Sequence, residues 1–216
     1  MKKILSLIIV LACALSLFSC GGKGVGEINK MYAVSCPTKI VTTSTQIING
    51  RTLSGSETII AGKIDGKAAA VHEYSYEKFA DIESASSSPI VTETNRIEYL
   101  EGYGTRSAGG KWNAEGADFS PTPGSIAITL TKIDNAKISE DKKTFTCTVK
   151  AENTAVVFGE DRAVAADVSV TITTNGTVVT GVVLTYNLEA TESSPAVAVT
   201  ITVDYSYDLE LITLTK

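Results

Sequence analysis

Alternation of apolar and polar residues dominates this chain from Thr38 onward. Val197, Val199, Ile201, Val203, Tyr205 and Tyr207 alternate with Ala198, Thr200, Thr202, Asp204, Ser206 and Asp208. One face of that segment is apolar and the other polar, as in an antiparallel sheet covered on one side. Threonine, valine, isoleucine and tyrosine prevail through the rest of this region, punctuated by turn residues, which is strand chemistry. The pattern predicts strands near 38–48, 52–62, 67–79, 92–101, 104–112, 125–133, 143–151, 166–174, 177–188 and 196–208, and a last one near 209–215. Turns are expected at Asn49-Gly50, Gly62 to Gly66, Gly102 to Gly104, Asp134-Asn135, Asn175-Gly176 and Ser193-Ser194-Pro195. Two segments, Asp81 to Pro89 and Thr154 to Ala166, read as loops or short helical turns.

The hairpin at Asn175-Gly176 admits two registers. A two-residue loop pairs Ile172 with Val179 and sets the two apolar sets on opposite faces. A three-residue loop, Thr174-Asn175-Gly176, pairs Ile172 with Val178. It puts Val168, Val170, Ile172, Val178, Val182, Leu184 and Tyr186 on one face. A one-residue slip turns every side chain over, so burial selects the three-residue loop, with Gly176 left-handed as a bulge.

The N-terminal part follows another pattern. Glu27 to Ser35 fits one short helix, with Ile28, Met31, Tyr32 and Ser35 on a stripe, ended by Pro37. Before it, Lys2 and Lys3 precede an almost unbroken apolar run from Ile4 to Phe18. A membrane span needs roughly 20 apolar residues, and this run is shorter. A basic head, an apolar middle and the small Ser19 before Cys20 make a secretory signal. Leu17-Phe18-Ser19-Cys20 resembles the lipobox of bacterial lipoproteins. That resemblance implies lipidation of Cys20, removal of residues 1–19 and a location on a membrane surface outside the cytoplasm. Residues 20–26, with Gly21-Gly22-Lys23-Gly24-Val25-Gly26, then read as lipidated cysteine and flexible tether. They are no phosphate loop, since no strand precedes them. Residues 27–216 form one expected β-rich domain.

The formal charge is −5, and losing Lys2 and Lys3 makes the remainder more negative. An acidic, anchored chain with no basic block is a poor candidate for electrostatic binding of nucleic acid or anionic headgroups. Of four cysteines, Cys13 leaves with the signal and Cys20 is the lipidation site. Cys36 and Cys147 remain; an exported pair can form a disulfide, or both can stay as buried thiols.

The chemistry of catalysis finds little support. His72 is the single histidine, alternating with Tyr74 and Tyr76, and no cysteine lies near it to complete a metal set. It reads as an exposed or hydrogen-bonded strand histidine. Glu98, Glu101, Glu115 and Asp118 are scattered without catalytic spacing. No cofactor, metal or enzymatic activity is expected. What remains is aromatic and apolar surface, with Tyr74, Tyr76, Tyr99, Tyr186, Val203 and Tyr205 as candidates to line an apolar cleft.

The order of features carries a resemblance. Pro37-Thr38-Lys39-Ile40-Val41-Thr42-Thr43 opens a long first strand after a short helix. A meander runs through Glu57 and Glu73 to Glu98-Tyr99-Leu100-Glu101-Gly102-Tyr103. Gly109-Gly110-Lys111-Trp112 and the strand Val203-Asp204-Tyr205-Ser206-Tyr207 follow. This resembles the half-barrel lipid-carrier superfamily of LolA, LolB, LppX and LprG. The resemblance implies a mainly β fold: an incompletely closed antiparallel sheet around a hydrophobic cavity, with one short N-terminal helix. It also implies binding of an apolar or lipid-like ligand without altering it. The competing expectation is a structural lipoprotein with a fully packed β core.

Overall fold

The computed structural model describes residues 24–64, 67–81, 86–100, 104–107, 133–155 and 162–207. The signal segment, Cys20, the strand expected near 209–215 and all but Ile133 of the strand expected near 125–133 lie outside the described residues, as does Trp112. Helix α1 (Val25–Val34) comes first. It is followed by β1 (Lys39–Ile48), β2 (Arg51–Ile64), β3 (Lys67–Phe79), β4 (Ile90–Leu100), β5 (Gly104–Ser107), β6 (Ile133–Ile138), β7 (Thr144–Val149), β8 (Val168–Thr174), β9 (Val179–Leu188) and β10 (Val197–Ser206). A single 3-10 turn, Ala151–Asn153, follows β7.

These strands make one ten-stranded antiparallel sheet in the order β5-β4-β3-β2-β1-β10-β9-β8-β7-β6. The sheet curves into a half-barrel and does not close. Each half is a meander of neighbouring strands, and β1 and β10 join the halves through pairs from Lys39↔Ser206 to Ile48↔Val197. The turn between β1 and β2 is Asn49-Gly50, with φ of 52° and 75°. Positive φ at both central residues is the type I′ geometry that suits strand twist.

Residues opposite one another across a ladder share a face. The face that carries the core, here the inner face, holds Phe145, Cys147 and Val149 of β7 and Val168, Val170 and Ile172 of β8. It continues through Val182, Leu184, Tyr186 and Leu188 of β9 to Val197, Val199, Ile201 and Val203 of β10, all buried. Against this half lies α1, burying Val25, Ile28, Met31 and Tyr32 at helical spacing. Ser35 ties the helix end to the sheet. Its hydroxyl donates to Met31 O at 2.7 Å and accepts from Val179 N at 3.0 Å, with the residue fully buried. One bond satisfies a helix C-terminal carbonyl, the other a strand N–H.

Several expectations need correction. The helix starts at Val25, inside the stretch read as tether, because Val25 is buried against the core. Gly24, at φ 105°, begins the helix, and its carbonyl accepts from Glu27 N and Ile28 N. Asp134-Asn135 is no turn. It sits inside β6, where the ladder shifts register between Asp134 and Lys137. Asn135 has φ 54°, a left-handed conformation asparagine tolerates, so it makes a bulge instead of reversing the chain. Gly62 also stays in a strand, opposite Ala69. The hairpin at Asn175-Gly176 takes neither expected register: Thr174 faces Val179, and a shift beyond it pairs Ile172 with Val182. The connection is thus four residues long. Asn175 Oδ1 accepts from Thr177 N and Val178 N, and Thr174 Oγ1 accepts from Gly176 N. Side-chain acceptors hold this loop open. The shared apolar face stands, except that Val179 replaces Val178 in the core.

Gly176 has φ 92°, as the sequence required, and an added Cβ would meet nothing within 4 Å. Gly176→Val should therefore cost about 1–2 kcal/mol through backbone strain alone. A denaturation midpoint equal to the parent's, with the same m-value, would contradict this. Ser35→Ala should cost about 1–3 kcal/mol, because it strands a buried N–H and a carbonyl together. Urea unfolding with no loss of stability would show that Ser35 does not clamp the helix.

Candidate functional site

The inner face continues from β10 across β1 into β2, β3 and β4, where its chemistry changes. Val203 faces Thr42, which faces Glu57, which faces Tyr74, which faces Asn95. The next rows place Ser44 beside Gly55 and Tyr76 beside Glu93. On the other side, Ile59 lies beside His72 and Ala70 beside Tyr99. All six residues expected to line a cleft, Tyr74, Tyr76, Tyr99, Tyr186, Val203 and Tyr205, thus share one face of one sheet.

They do not share one environment. Tyr186 and Val203 belong to the packed core under α1, with Val203 only 2% exposed. Tyr205 packs against that core, and burial pushes its phenol well above the ordinary range. Tyr186 and Val203 are thus core residues, and Tyr205 borders the core. The helix lies against β9, over the buried apolar side chains of this half of the sheet. Tyr74, Tyr76 and Tyr99 are half-buried on β3 and β4, beyond the helix.

Around those three tyrosines lies a polar network. His72 Nε2 is 2.5 Å from Glu57 Oε1, with Glu57 buried and His72 mostly so. His72, Tyr74 and Tyr76 stand in a row along β3, with ring centroids 5.4 Å and 6.3 Å apart. The Tyr74 and Tyr76 rings are near parallel, 19° apart. Tyr74 Oη accepts from Asn95 Nδ2 at 2.8 Å, leaving its own proton to donate. Tyr76 and Lys78 both donate to Glu93. That hydrogen bond raises the Tyr76 phenol pKa. The Tyr99 phenol is also raised, by burial first and then by Tyr74 and Glu57 nearby. Toward Tyr99 the face is apolar, with Ile59, Ala70 and Ile97; toward Tyr76 it is polar, with Ser44, Gln46 and Asn95.

The sequence marked His72 beside the tyrosines but missed Glu57, Glu93 and Asn95. A signal existed for Glu57. The Asn49-Gly50 turn fixes the β1–β2 register and so aligns Glu57 with Thr42. Among the described residues no group of three or more His, Cys, Asp or Glu side chains is placed to hold a metal ion.

Cys36 and Cys147 are both free thiols: of the two alternatives the bridge is not made, and only Cys147 is a buried thiol. Cys36 is exposed after the helix, whereas Cys147 points into the core from the middle of β7.

No protein-family model matches the chain, and no curated protein matches it. Among solved structures, a DUF1329 family protein from Desulfovibrio piger is one that the chain is similar to. The two share 9% identity over 84% of this chain and 90% of that one, with a TM-score of 0.26. So loose a superposition carries no argument, and the architecture rests on the strand pairing itself.

Burial raises the Cys147 thiol pKa to about 11. A thiol reagent at mildly alkaline pH should therefore modify Cys36 quickly and Cys147 only after unfolding. Protection of Cys36 that a reductant removes would instead reveal a bridge.

Proposed function

We propose that this chain is a cell-envelope lipoprotein, anchored through Cys20 outside the cytoplasm, that holds or carries a lipid-like ligand on its inner face. The observation that supports this most is the division of that face. The β6–β10 half is filled by its own side chains and α1, whereas β2–β4 present half-buried tyrosines beyond the helix. Ligand contacts then fall to Tyr74, Tyr76 and Tyr99. An acyl part would lie by Ile59, Ile97 and Tyr99, and a polar head by Tyr74, Tyr76 and Asn95. Binding without chemical change, as in the half-barrel carriers the sequence resembles, suits a face whose histidine is engaged with Glu57 and whose Glu93 is engaged with Tyr76 and Lys78.

A second reading, a structural lipoprotein with a packed core, is favoured by the burial of Tyr186 and Val203. Filling the face separates the two. Ser44 is half-buried on the inner face opposite Gly55. In an open cleft Ser44→Trp should leave stability within about 0.5 kcal/mol and abolish uptake of a fluorescent fatty-acyl probe. In a packed core the same bulk should cost ~1–3 kcal/mol. If the parent binds none of several probes differing in chain length and headgroup, the carrier reading fails and the structural one replaces it.

A further inference from the structure

We propose that the inner face takes a neutral head group with neighbouring hydroxyls, of the acylglycerol kind, through His72 and Tyr74, and that buried Glu57 discriminates against anionic heads. This rests on the reading of that face as a lipid carrier's and names the head such a ligand bears. Glu57 Oε1 is 2.5 Å from His72 Nε2. A carboxylate can only accept, so Nε2 carries the proton and the neutral ring keeps a lone pair on Nδ1. His72 makes no other hydrogen bond among the described residues and is partly exposed, which leaves Nδ1 as an acceptor for a ligand. Tyr74 has the opposite role. Asn95 Oδ1 accepts from Arg96 N at 2.8 Å, so Asn95 Nδ2 is the group that donates to Tyr74 Oη, also at 2.8 Å. Tyr74 is the acceptor in that bond, and its own proton is left to donate. Its ring stands beside the imidazole, with centroids 5.4 Å apart. An acceptor and a donor side by side match neighbouring hydroxyls, each of which gives and takes a hydrogen bond.

Position agrees with this role. Across the ladders His72 lies between Ile59 and Ile97, and Tyr74 between Glu57 and Asn95. The two residues stand where the apolar part of the face, suited to a chain, gives way to the polar part. Charge then sets specificity. An anion bonded to Nδ1 would stand roughly 7 Å from the Glu57 carboxylate, and at an effective dielectric of about 20 that repulsion weakens binding on the order of fiftyfold. A carboxylate head avoids the repulsion only by bringing a proton to the imidazole, which then donates from both nitrogens. Its binding therefore strengthens toward acid, whereas that of a hydroxyl does not depend on the added proton. Around this pair, the other ionisable groups of the face among the described residues are Tyr99 near Glu57, the bonded set of Tyr76, Lys78 and Glu93, and Arg51 and Lys63 at the two ends of β2. From β1 and β5 the face receives the uncharged Thr42, Ser44, Thr105 and Ser107.

Calorimetric titration of the purified protein with monodecanoylglycerol and with decanoate tests this. At mildly alkaline pH monodecanoylglycerol should bind at least about tenfold more tightly, and decanoate should gain on it toward acid. Glu57→Gln removes the charge and keeps the shape. Decanoate should then improve about tenfold, with monodecanoylglycerol within about threefold of the parent. Tyr74→Phe removes the donor and should weaken monodecanoylglycerol about three- to tenfold. It disturbs no buried charge, so it decides the matter if Glu57→Gln does not fold. Decyl glucoside is run beside these probes. Tighter binding of either neutral probe than of decanoate sustains the proposal and tells a ring polyol from an open one. Decanoate bound as tightly as both at alkaline pH, or a Glu57→Gln variant with the parent's preference, overturns it. A parent that binds none of the three refutes the carrier reading on which it rests.

Discussion

The antiparallel ladder between β1 and β10 is the constraint on which the rest of the molecule depends. Its residues are separated by most of the described chain, from Lys39↔Ser206 to Ile48↔Val197. Every other pairing between strands is local, made by a meander that can form from neighbours. Without this seam there would be two separate sheets, and α1 lies against only one of them. With it, one face runs unbroken from β6 to β5. The seam also carries the largest loop-closure cost in the fold, since its partners lie so far apart in sequence.

Continuity of that face explains both its stable and its reactive parts. On the β6–β10 side apolar alternation is strict, and α1 completes a core around Phe145, Ile172, Val203 and Tyr32. On the β2–β4 side the same alternation brings Glu57, His72, Tyr74 and Tyr76 inward. Burying a carboxylate alone is costly, and Glu57 is held in place by pairing with His72. The outer face has its own version of this rule. Glu98 is buried there with Arg106, whose Nε donates to it at 2.7 Å, and Arg96 approaches it at 3.4 Å. Charged residues enter the sheet in pairs, and these pairs bias its β2–β5 half toward polar contacts.

Folding also redistributes charge that looks unremarkable in the linear chain. Lys30 on α1, Lys39 at the start of β1, Lys63 and Lys67 around the β2–β3 connection, and Lys137, Lys142 and Lys143 around the β6–β7 turn all reach the end of the sheet where α1 lies. No two of these stretches form a basic run, so a scan for charge blocks finds none. Antiparallel strands of matched length deliver alternate connections to alternate ends. Which end a charge reaches is decided by the parity of its turn.

Much of the sheet was legible because the information is local. Period-two alternation located the strands, Asn49-Gly50 fixed a two-residue turn, and the need for a left-handed residue singled out Gly176. The core stripe of α1 followed from helical spacing. Where several local solutions exist, the sequence could not choose. Asn135 permits either a turn or a bulge, and β7 made it a bulge by pairing on both sides of it. The loop after Thr174 gained a residue because side-chain acceptors at Thr174 and Asn175 stabilise a wider connection. For the candidate site, alternation identified the inward tyrosines but not their surroundings. Whether a tyrosine lies under the helix or beyond it depends on which strands are neighbours. That is set by the β1–β10 seam and by where α1 docks, interactions between residues far apart in the chain. Local pattern therefore determined which side chains point inward. Only the tertiary structure decided that Tyr186 and Val203 are core and that Glu57 meets His72.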